Sequence, residues 1–147
     1  MKKFSIEDKL AALFILIGTA MRFYNYSSWS LSNDELSAMA RLQFPSFSEM
    51  IVKGVKLDDM HPMGVQSFLW LWTNLTGLSD AMFRLPFVIM GSLSLVFFYL
   101  IAAKWFNKSS ALFSLAVFSA LQFPILFSQL ARPYSPGLLF SLMFVYA

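Results

Sequence analysis

Two long uncharged stretches limit what this chain can fold into more than any other feature. Residues 85–103 contain no charged side chain, and neither do residues 109–131. At about 1.5 Å of rise per helical residue, each stretch is long enough to cross the roughly 30 Å hydrocarbon core of a bilayer. Only 13% of the chain is charged, whereas soluble domains are about one quarter charged. The sequence therefore predicts an all-α, polytopic transmembrane protein.

A shorter apolar stretch lies near the N-terminus, between Lys9 and Arg22. It spans if Arg22 extends its guanidinium to the headgroup region. A cleaved signal peptide is the alternative, but no small-residue cleavage site follows. The last apolar run is too short to cross, so we expect an N-terminal part of a larger transmembrane domain. The predicted spans cover about residues 8–26, 84–105 and 110–130, followed by an incomplete one at 135–147.

The connection between the first two spans, residues 27–83, concentrates the acidic residues. It holds six of the eight acids of the chain against three basic residues, which gives it a net charge of −3. Lys2, Lys3 and Lys9 precede the first span, and the positive-inside rule places such lysines in the cytoplasm. We therefore expect an integral protein of a bacterial inner membrane, with a cytoplasmic N-terminus and with residues 27–83 as an outer loop.

Residues 62–79 carry no charge and could be counted as a further span. On a helical wheel, however, apolar side chains share one face, and the opposite face carries Gln66, Ser67, Thr73 and Asn74. This pattern is typical of a helix that lies flat at the interface. A flat helix also keeps Lys104 and Lys108 on the cytoplasmic side. We expect amphipathic juxtamembrane helices in a long first outer loop.

Composition excludes several classes of site and partner. The chain has no cysteine, which removes disulfides and thiolate ligands. Its formal charge of +3 is small and scattered, so no nucleic acid partner is expected. The remaining candidates are oxygen and nitrogen side chains at the ends of the predicted spans.

Asp34 and Glu35 are the first candidate pair. They follow Ser32-Asn33 and open an apolar-periodic stretch, so Asn33 or Asp34 could simply cap a helix. The functional alternative is a carboxylate at the membrane surface that takes a proton from an acceptor hydroxyl or binds a divalent cation. Both roles are compatible, because a cap fixes the orientation that a base needs.

His61 is the second candidate and the single histidine of the chain. It follows Asp58 and Asp59 and precedes Pro62, an arrangement that also suits the first turn of a helix. An imidazole at headgroup level can donate to a phosphate or bind a metal. On spacing alone, the metal interpretation is weak.

Arg132 and Tyr134 lie between two apolar segments. An arginine in this position is costly in lipid and has either a partner or a function, for example holding a phosphate. An interfacial arginine beside a tyrosine belt is the alternative. Arg84, which opens the second span, is interpreted as an interfacial anchor without a chemical role.

Taken together, Arg22, Trp29, Asp34-Glu35, Asp59-Met60-His61-Pro62, Arg84-Leu85-Pro86 and 128–134 form an ordered pattern. The pattern resembles the N-terminal part of GT-C membrane glycosyltransferases, in the branch of protein O-mannosyltransferase-like and aminoarabinose-transferase-like enzymes. The resemblance implies transfer of a sugar from a polyprenyl-phosphate donor to a protein, lipid or glycan acceptor on the outer face. It assigns catalysis to Asp34 and Glu35, and donor phosphate binding to His61, Arg132 and Tyr134.

The chain departs from the family pattern at two positions. Met63 replaces the usual second proline, and Leu130 replaces the acid that usually precedes Ala-Arg. We therefore assign no metal ligand and no certain cofactor, and leave a divalent cation open. A lipid-linked sugar transporter or flippase and a non-catalytic membrane scaffold are the competing functions. The transporter would need charges near the midplane, whereas here they lie at the ends of the spans.

Overall fold

The computed structural model describes residues 5–56 and 63–147, with the side chain of Lys56 excepted. Within these ranges the chain is all-α: eight α-helices, one short 3-10 turn and one π-helical segment, and no strand. The α-helices are α1 (Ile6–Phe23), α2 (Asn33–Ala40), α3 (Phe47–Glu49), α4 (Met63–Thr76), α5 (Asp80–Trp105), α6 (Lys108–Ala120), α7 (Gln122–Ser128) and α8 (Tyr134–Tyr146). The 3-10 turn covers Arg41–Gln43, and the π-helical segment, Met50–Lys56, continues α3.

Helix α5 is the centre of the structure and packs against α1, α6, α7 and α8. One end of this bundle is held by an apolar cluster of Ala11, Leu95, Tyr99, Ala102, Ala111 and Leu115. A second apolar cluster joins α5 to α2 and α4 through Ala38, Leu69, Phe83, Phe87 and Ala131. Small residues recur at these contacts, as in helix pairs that approach closely in membranes.

Among the described helices, α5 alone is long and apolar enough to cross a membrane by length and composition. Helices α6 and α7 meet the same criterion as a pair, but they are bent by 60° at Leu121. The prediction of one continuous helix over 110–130 is therefore wrong. Pro124 gives the physical reason, because it cannot donate a hydrogen bond to the carbonyl of Ala120 and its ring would collide with that carbonyl.

Helix α5 begins four residues before its predicted start. The Ser79 side chain caps it by accepting a hydrogen bond from the backbone N–H of Met82 at 3.3 Å. Pro86 then lies inside the helix and leaves the Met82 carbonyl without its usual donor. The indole Nε1 of Trp72 donates to that carbonyl at 2.7 Å. The proline therefore creates an acceptor that attaches α4 to α5.

Helix α4 occupies most of the stretch predicted to lie flat, but its faces differ from the wheel. Gln66, predicted on the polar face, is buried and donates from Nε2 to the carbonyl of Ala38 at 2.9 Å. The carbonyl of Ala38 lies in the last turn of α2, where no backbone N–H of the same helix can donate to it. The Gln66 amide supplies the missing donor.

We expect Gly91→Ala to destabilise the bundle. A Cβ at position 91 would overlap the Cβ of Ser128 on α7, and such overpacking costs about 1–3 kcal/mol. Gly137→Ala is the matched control, because a Cβ there meets no described atom within 4 Å. Thermal unfolding of the purified protein in detergent should show a lower melting temperature for Gly91→Ala only. Equal melting temperatures would contradict this packing.

Candidate functional site

A buried ion pair joins α2 to the start of α5. The Arg84 Nε donates to Glu35 Oε1 and its Nη2 donates to Oε2, both at 2.8 Å. The two side chains are 2% and 0% exposed. This is the bidentate geometry in which a planar guanidinium binds a carboxylate most strongly.

The local sequence explains why Glu35 points inward. Ser32 is the N-cap of α2, and its Oγ accepts from the Glu35 backbone N–H at 3.3 Å. Glu35 Oε2 accepts in return from the Ser32 backbone N–H at 3.0 Å. This reciprocal arrangement is a capping box. The expectation that Asn33 or Asp34 caps the helix is therefore wrong, and Asp34 has no capping role.

The same ion pair also forms hydrogen bonds to two further segments of the chain. Arg84 also donates to the backbone carbonyls of Tyr26, Trp29 and Ser30, which fixes the segment after α1. Glu35 Oε1 accepts from the backbone N–H of Ala131 at 3.0 Å, which fixes the turn before α8. The residues after α1, the start of α2, the start of α5 and the turn at 131 therefore meet at one buried carboxylate.

The hydrogen bonds determine the charge state of Glu35. Burial raises the pKa of its carboxyl, but donors from Arg84, Ala131 and Ser32 favour the ionised form more strongly. The net pKa lies below the ordinary value of 4.5. Glu35 is thus a carboxylate whose acceptor positions are already occupied, a state that suits positioning better than proton transfer. The interpretation of Arg84 as an interfacial anchor is wrong, since its guanidinium is buried and paired.

Asp34 has an exposed side chain, whereas that of its neighbour Glu35 is buried. Its side chain is 65% exposed and lies 3.9 Å from the Arg132 guanidinium, measured from Oδ2 to Nε. Arg132 is buried, and its Nη1 donates to the backbone carbonyl of Asp34 at 3.4 Å. The segment between α1 and α5 therefore contacts the turn at 132. An accessible carboxylate and an adjacent cation share one end of the bundle.

The other predicted site residues lie apart from this pair or beyond the described chain. Tyr134 begins α8, is 45% exposed, and packs edge-on against Phe127 at 4.5 Å between ring centres. It lines a cleft of about 380 Å³ together with Arg22. His61 lies outside the described residues, as do Asp58 and Asp59. Within 5–56 and 63–147, no three His, Asp or Glu side chains lie close enough to hold a metal ion.

Two polar residues inside the bundle, Arg22 and Gln129, bond to backbone carbonyls, so Arg22 does not extend to the headgroup region as expected. Arg22 is 1% exposed, and its Nη1 donates to the carbonyls of Gly18 and Ser119 at 2.9 and 3.3 Å. Gln129 donates from Nε2 to the carbonyls of Arg22 and Tyr24. Because Ser119 lies in the last turn of α6, Arg22 satisfies a carbonyl beside the helix break. An arginine that interrupts an apolar run is the sequence signal for this role.

An apolar groove is a further cavity of the bundle. It has a volume of about 410 Å³ and runs between α4, α5 and α8. Pro133 contributes to its wall and directly follows Arg132 in the chain. The lining residues are Gly64, Val65, Phe68, Phe87, Met90, Pro133, Pro136, Gly137 and Phe140.

We expect Glu35→Gln to destabilise the fold strongly. Removing one partner of a buried ion pair leaves the other charge uncompensated, at a cost of about 3–5 kcal/mol. Replacing both partners with Met removes the uncompensated charge but leaves the backbone groups that they bond without partners, so only part of this loss should be recovered. Glu49→Gln is the matched control, since Glu49 pairs with Lys53 on the exposed surface and such pairs contribute about 0.2–1 kcal/mol. The melting temperature of Glu49→Gln should lie nearest to that of wild type. A Glu35→Gln variant that melts at the wild-type temperature would contradict the role of the buried ion pair.

The same pair predicts an acid sensitivity. Because the folded-state pKa of Glu35 is lowered, its contribution to stability is complete above the ordinary carboxyl pKa of 4.5 and is lost as the pH falls through the folded-state value. Unfolding measured over this acidic range should show a smaller pH dependence in the double Met variant than in wild type. Identical pH profiles would show that the pair does not carry this dependence.

Comparison with known protein families agrees with the geometry. A family model described as dolichyl-phosphate-mannose-protein mannosyltransferase matches residues 60–147. The matched region includes Arg84, Arg132 and Tyr134, whereas Asp34 and Glu35 precede it. No curated protein and no solved structure matches the chain. Because the family model covers more than half of the sequence, the chain belongs to the dolichyl-phosphate-mannose-protein mannosyltransferase family of GT-C membrane glycosyltransferases.

Proposed function

We propose that this chain carries the catalytic end of a mannosyltransferase that uses a polyprenyl-phosphate-linked donor. The acceptor is a hydroxyl group on the outer side of the membrane. Family membership supports the class of reaction, since the family is described by its dolichyl-phosphate-mannose donor. The exposed Asp34 carboxylate, which lies beside the buried guanidinium of Arg132, carries the assignment of the site.

Asp34 acts as the general base in this proposal. The acceptor oxygen forms a bond to the anomeric carbon of the sugar, its proton passes to the Asp34 carboxylate, and the bond from the anomeric carbon to the phosphate oxygen breaks. An aspartate that is 65% exposed can be reached by a hydroxyl group, whereas Glu35 cannot. Glu35 and Arg84 act as positioning residues, because their hydrogen bonds hold α2 next to the turn at 131.

Arg132 stabilises the departing carrier phosphate. The two electrons of the broken bond remain on the phosphate oxygen, and a guanidinium next to it offsets the charge that develops. Arg132 is buried, so this charge is less screened than at an open surface. His61 and Tyr134 are proposed as further phosphate contacts, on the strength of the family pattern.

The proposed topology places this site on the outer face. Helix α5 and the broken pair of α6 and α7 meet the length and composition of spans. In this proposal α1 also spans, with the Arg22 guanidinium hydrogen-bonded to backbone carbonyls. Arg84 and Lys104 lie 20 residues apart on α5, or about 30 Å along the helix, so they mark opposite ends of the bundle. Lys104 and Lys108 would then face the cytoplasm, as the positive-inside rule favours.

We expect Asp34→Asn to abolish most transfer in the full-length protein without affecting folding. A general base typically contributes about 10²- to 10⁴-fold in rate. Asp80→Asn is the matched control, because Asp80 is an exposed aspartate in the same outer loop. The assay follows mannose transfer from a polyprenyl-phosphate donor, alongside thermal unfolding. Wild-type turnover by Asp34→Asn would refute the assignment of the base.

Arg132→Gln should also slow transfer. Loss of a group that stabilises developing negative charge lowers kcat by about 10²- to 10³-fold. Arg41→Gln, an arginine on the same loop that donates to Ser37, is the control and should leave transfer near wild type. Release of the carrier phosphate in a single turnover is the measurement. If Arg132→Gln changed KM alone, Arg132 would bind the donor without assisting bond cleavage.

A further inference from the structure

Arg22 is a buried cation whose charge is not offset by any carboxylate of residues 5–56 or 63–147. Its side chain is 1% exposed, and its Nη1 donates to the backbone carbonyls of Gly18 and Ser119. The ion pairs of these residues involve other cations. Neutral carbonyls orient a guanidinium but leave its charge in place, and a buried charge is costly unless it is paired. An anion beside Arg22 would remove this cost.

The Arg22 guanidinium also has a donor without an acceptor. Its Nε is buried and forms no hydrogen bond within the part of the chain that the structure describes. A buried donor of this kind is destabilising, and the penalty is larger for a charged group. Arg22 lines the cleft of about 380 Å³ that it shares with Tyr134. A ligand in this cleft can supply both the missing acceptor and the missing negative charge.

The walls of the cleft suit a phosphate that carries a hydrocarbon chain. The cleft lies between the end of α1, the broken pair of α6 and α7, and the start of α8. Apart from Arg22, Tyr134 and two serines, its lining is apolar or glycine. Phe123 and Leu138 line it and are 68% and 38% exposed, so the cleft is open to the surroundings of the bundle. A guanidinium at an apolar cleft complements an anionic head on an apolar chain.

The charges around the cleft indicate which lipid fits it. No acidic side chain of the described residues lines it, so the ammonium group of a zwitterionic head has no partner there. Neither Asp34 nor Arg132 lines it, so the cleft lacks the residues that the proposed reaction uses. An anionic membrane phospholipid therefore fits better than a zwitterionic one or the sugar donor.

We propose that Arg22 binds the phosphate of an anionic phospholipid, whose acyl chain lies in the cleft between α1, α7 and α8. The lipid supplies the counter-ion of Arg22 and packs against the break between α6 and α7. It is a structural ligand of the bundle and takes no part in bond-making. The inference goes beyond the proposed function and does not depend on mannose transfer.

The test measures lipid binding by the full-length protein. Native mass spectrometry in detergent compares added phosphatidylglycerol with phosphatidylcholine. Wild type should retain phosphatidylglycerol about tenfold more tightly, and Arg22→Gln should lose about tenfold or more of this affinity. Gln retains an N–H donor but has no charge. Arg41→Gln is the matched control, because it removes the same charge from a side chain that donates to Ser37.

A second variant keeps the test decisive if Arg22→Gln fails to fold. Leu138→Trp fills the cleft and leaves the charge of Arg22 in place, so it should also weaken phosphatidylglycerol binding about tenfold. Leu93→Trp is its control, since Leu93 is 45% exposed on α5 and does not line this cleft. Thermal unfolding checks that each variant is folded, and phosphatidylglycerol should raise the melting temperature of wild type more than that of Leu138→Trp.

Four outcomes would overturn the proposal. Wild type that binds neither lipid would show that Arg22 finds its anion within the protein. Equal binding of the two lipids by wild type, or wild-type affinity for phosphatidylglycerol in folded Arg22→Gln and Leu138→Trp, would show that the cleft is not the site. Binding of a polyprenyl phosphate that requires Arg22 and that phosphatidylglycerol does not displace would assign the cleft to the carrier. Binding of phosphatidylglycerol that requires Arg22 would support the proposal even in a protein without transferase activity.

Discussion

The buried pair of Glu35 and Arg84 is the interaction on which one end of this bundle depends. Two charges out of water are unstable unless each is fully hydrogen-bonded, and here most of the bonds reach segments that are distant in the chain. Arg84 fixes the residues that follow α1, and Glu35 fixes the backbone at Ala131. The ion pair therefore fixes three connections relative to one another: the residues after α1, the start of α5 and the turn at 131. We call these three segments and the ion pair the platform.

This platform explains how two adjacent acids can have different roles. Glu35 is the third residue of a capping box and turns into the protein, where its acceptor positions are occupied. Asp34, one residue earlier on the same helix, faces outward beside Arg132. In the proposed mechanism Glu35 holds α2 and the turn at 131 in position, and Asp34 accepts the proton.

The sequence predicts the parts of this fold that depend on composition and local pattern. The apolar run after Arg84 predicts α5, and the order of Ser32 and Glu35 contains a capping box that could have identified the inward acid. The partner of Glu35 lies 49 residues away, and no local pattern reveals such a pairing. The inward turn of Gln66 likewise depends on a neighbour that only the folded chain brings close, whereas Pro124 is a local signal for the break at Leu121.

The central claim is that Glu35 positions the site and Asp34 carries out proton transfer. The most direct test measures the single-turnover rate of mannose transfer by the folded variant in which Glu35 and Arg84 are both replaced with Met. We predict a rate below that of wild type, because the segments held by the pair are less well positioned, but well above that of Asp34→Asn, because a lost base costs about 10²- to 10⁴-fold. A rate as low as that of Asp34→Asn, in a protein that unfolds normally, would contradict it.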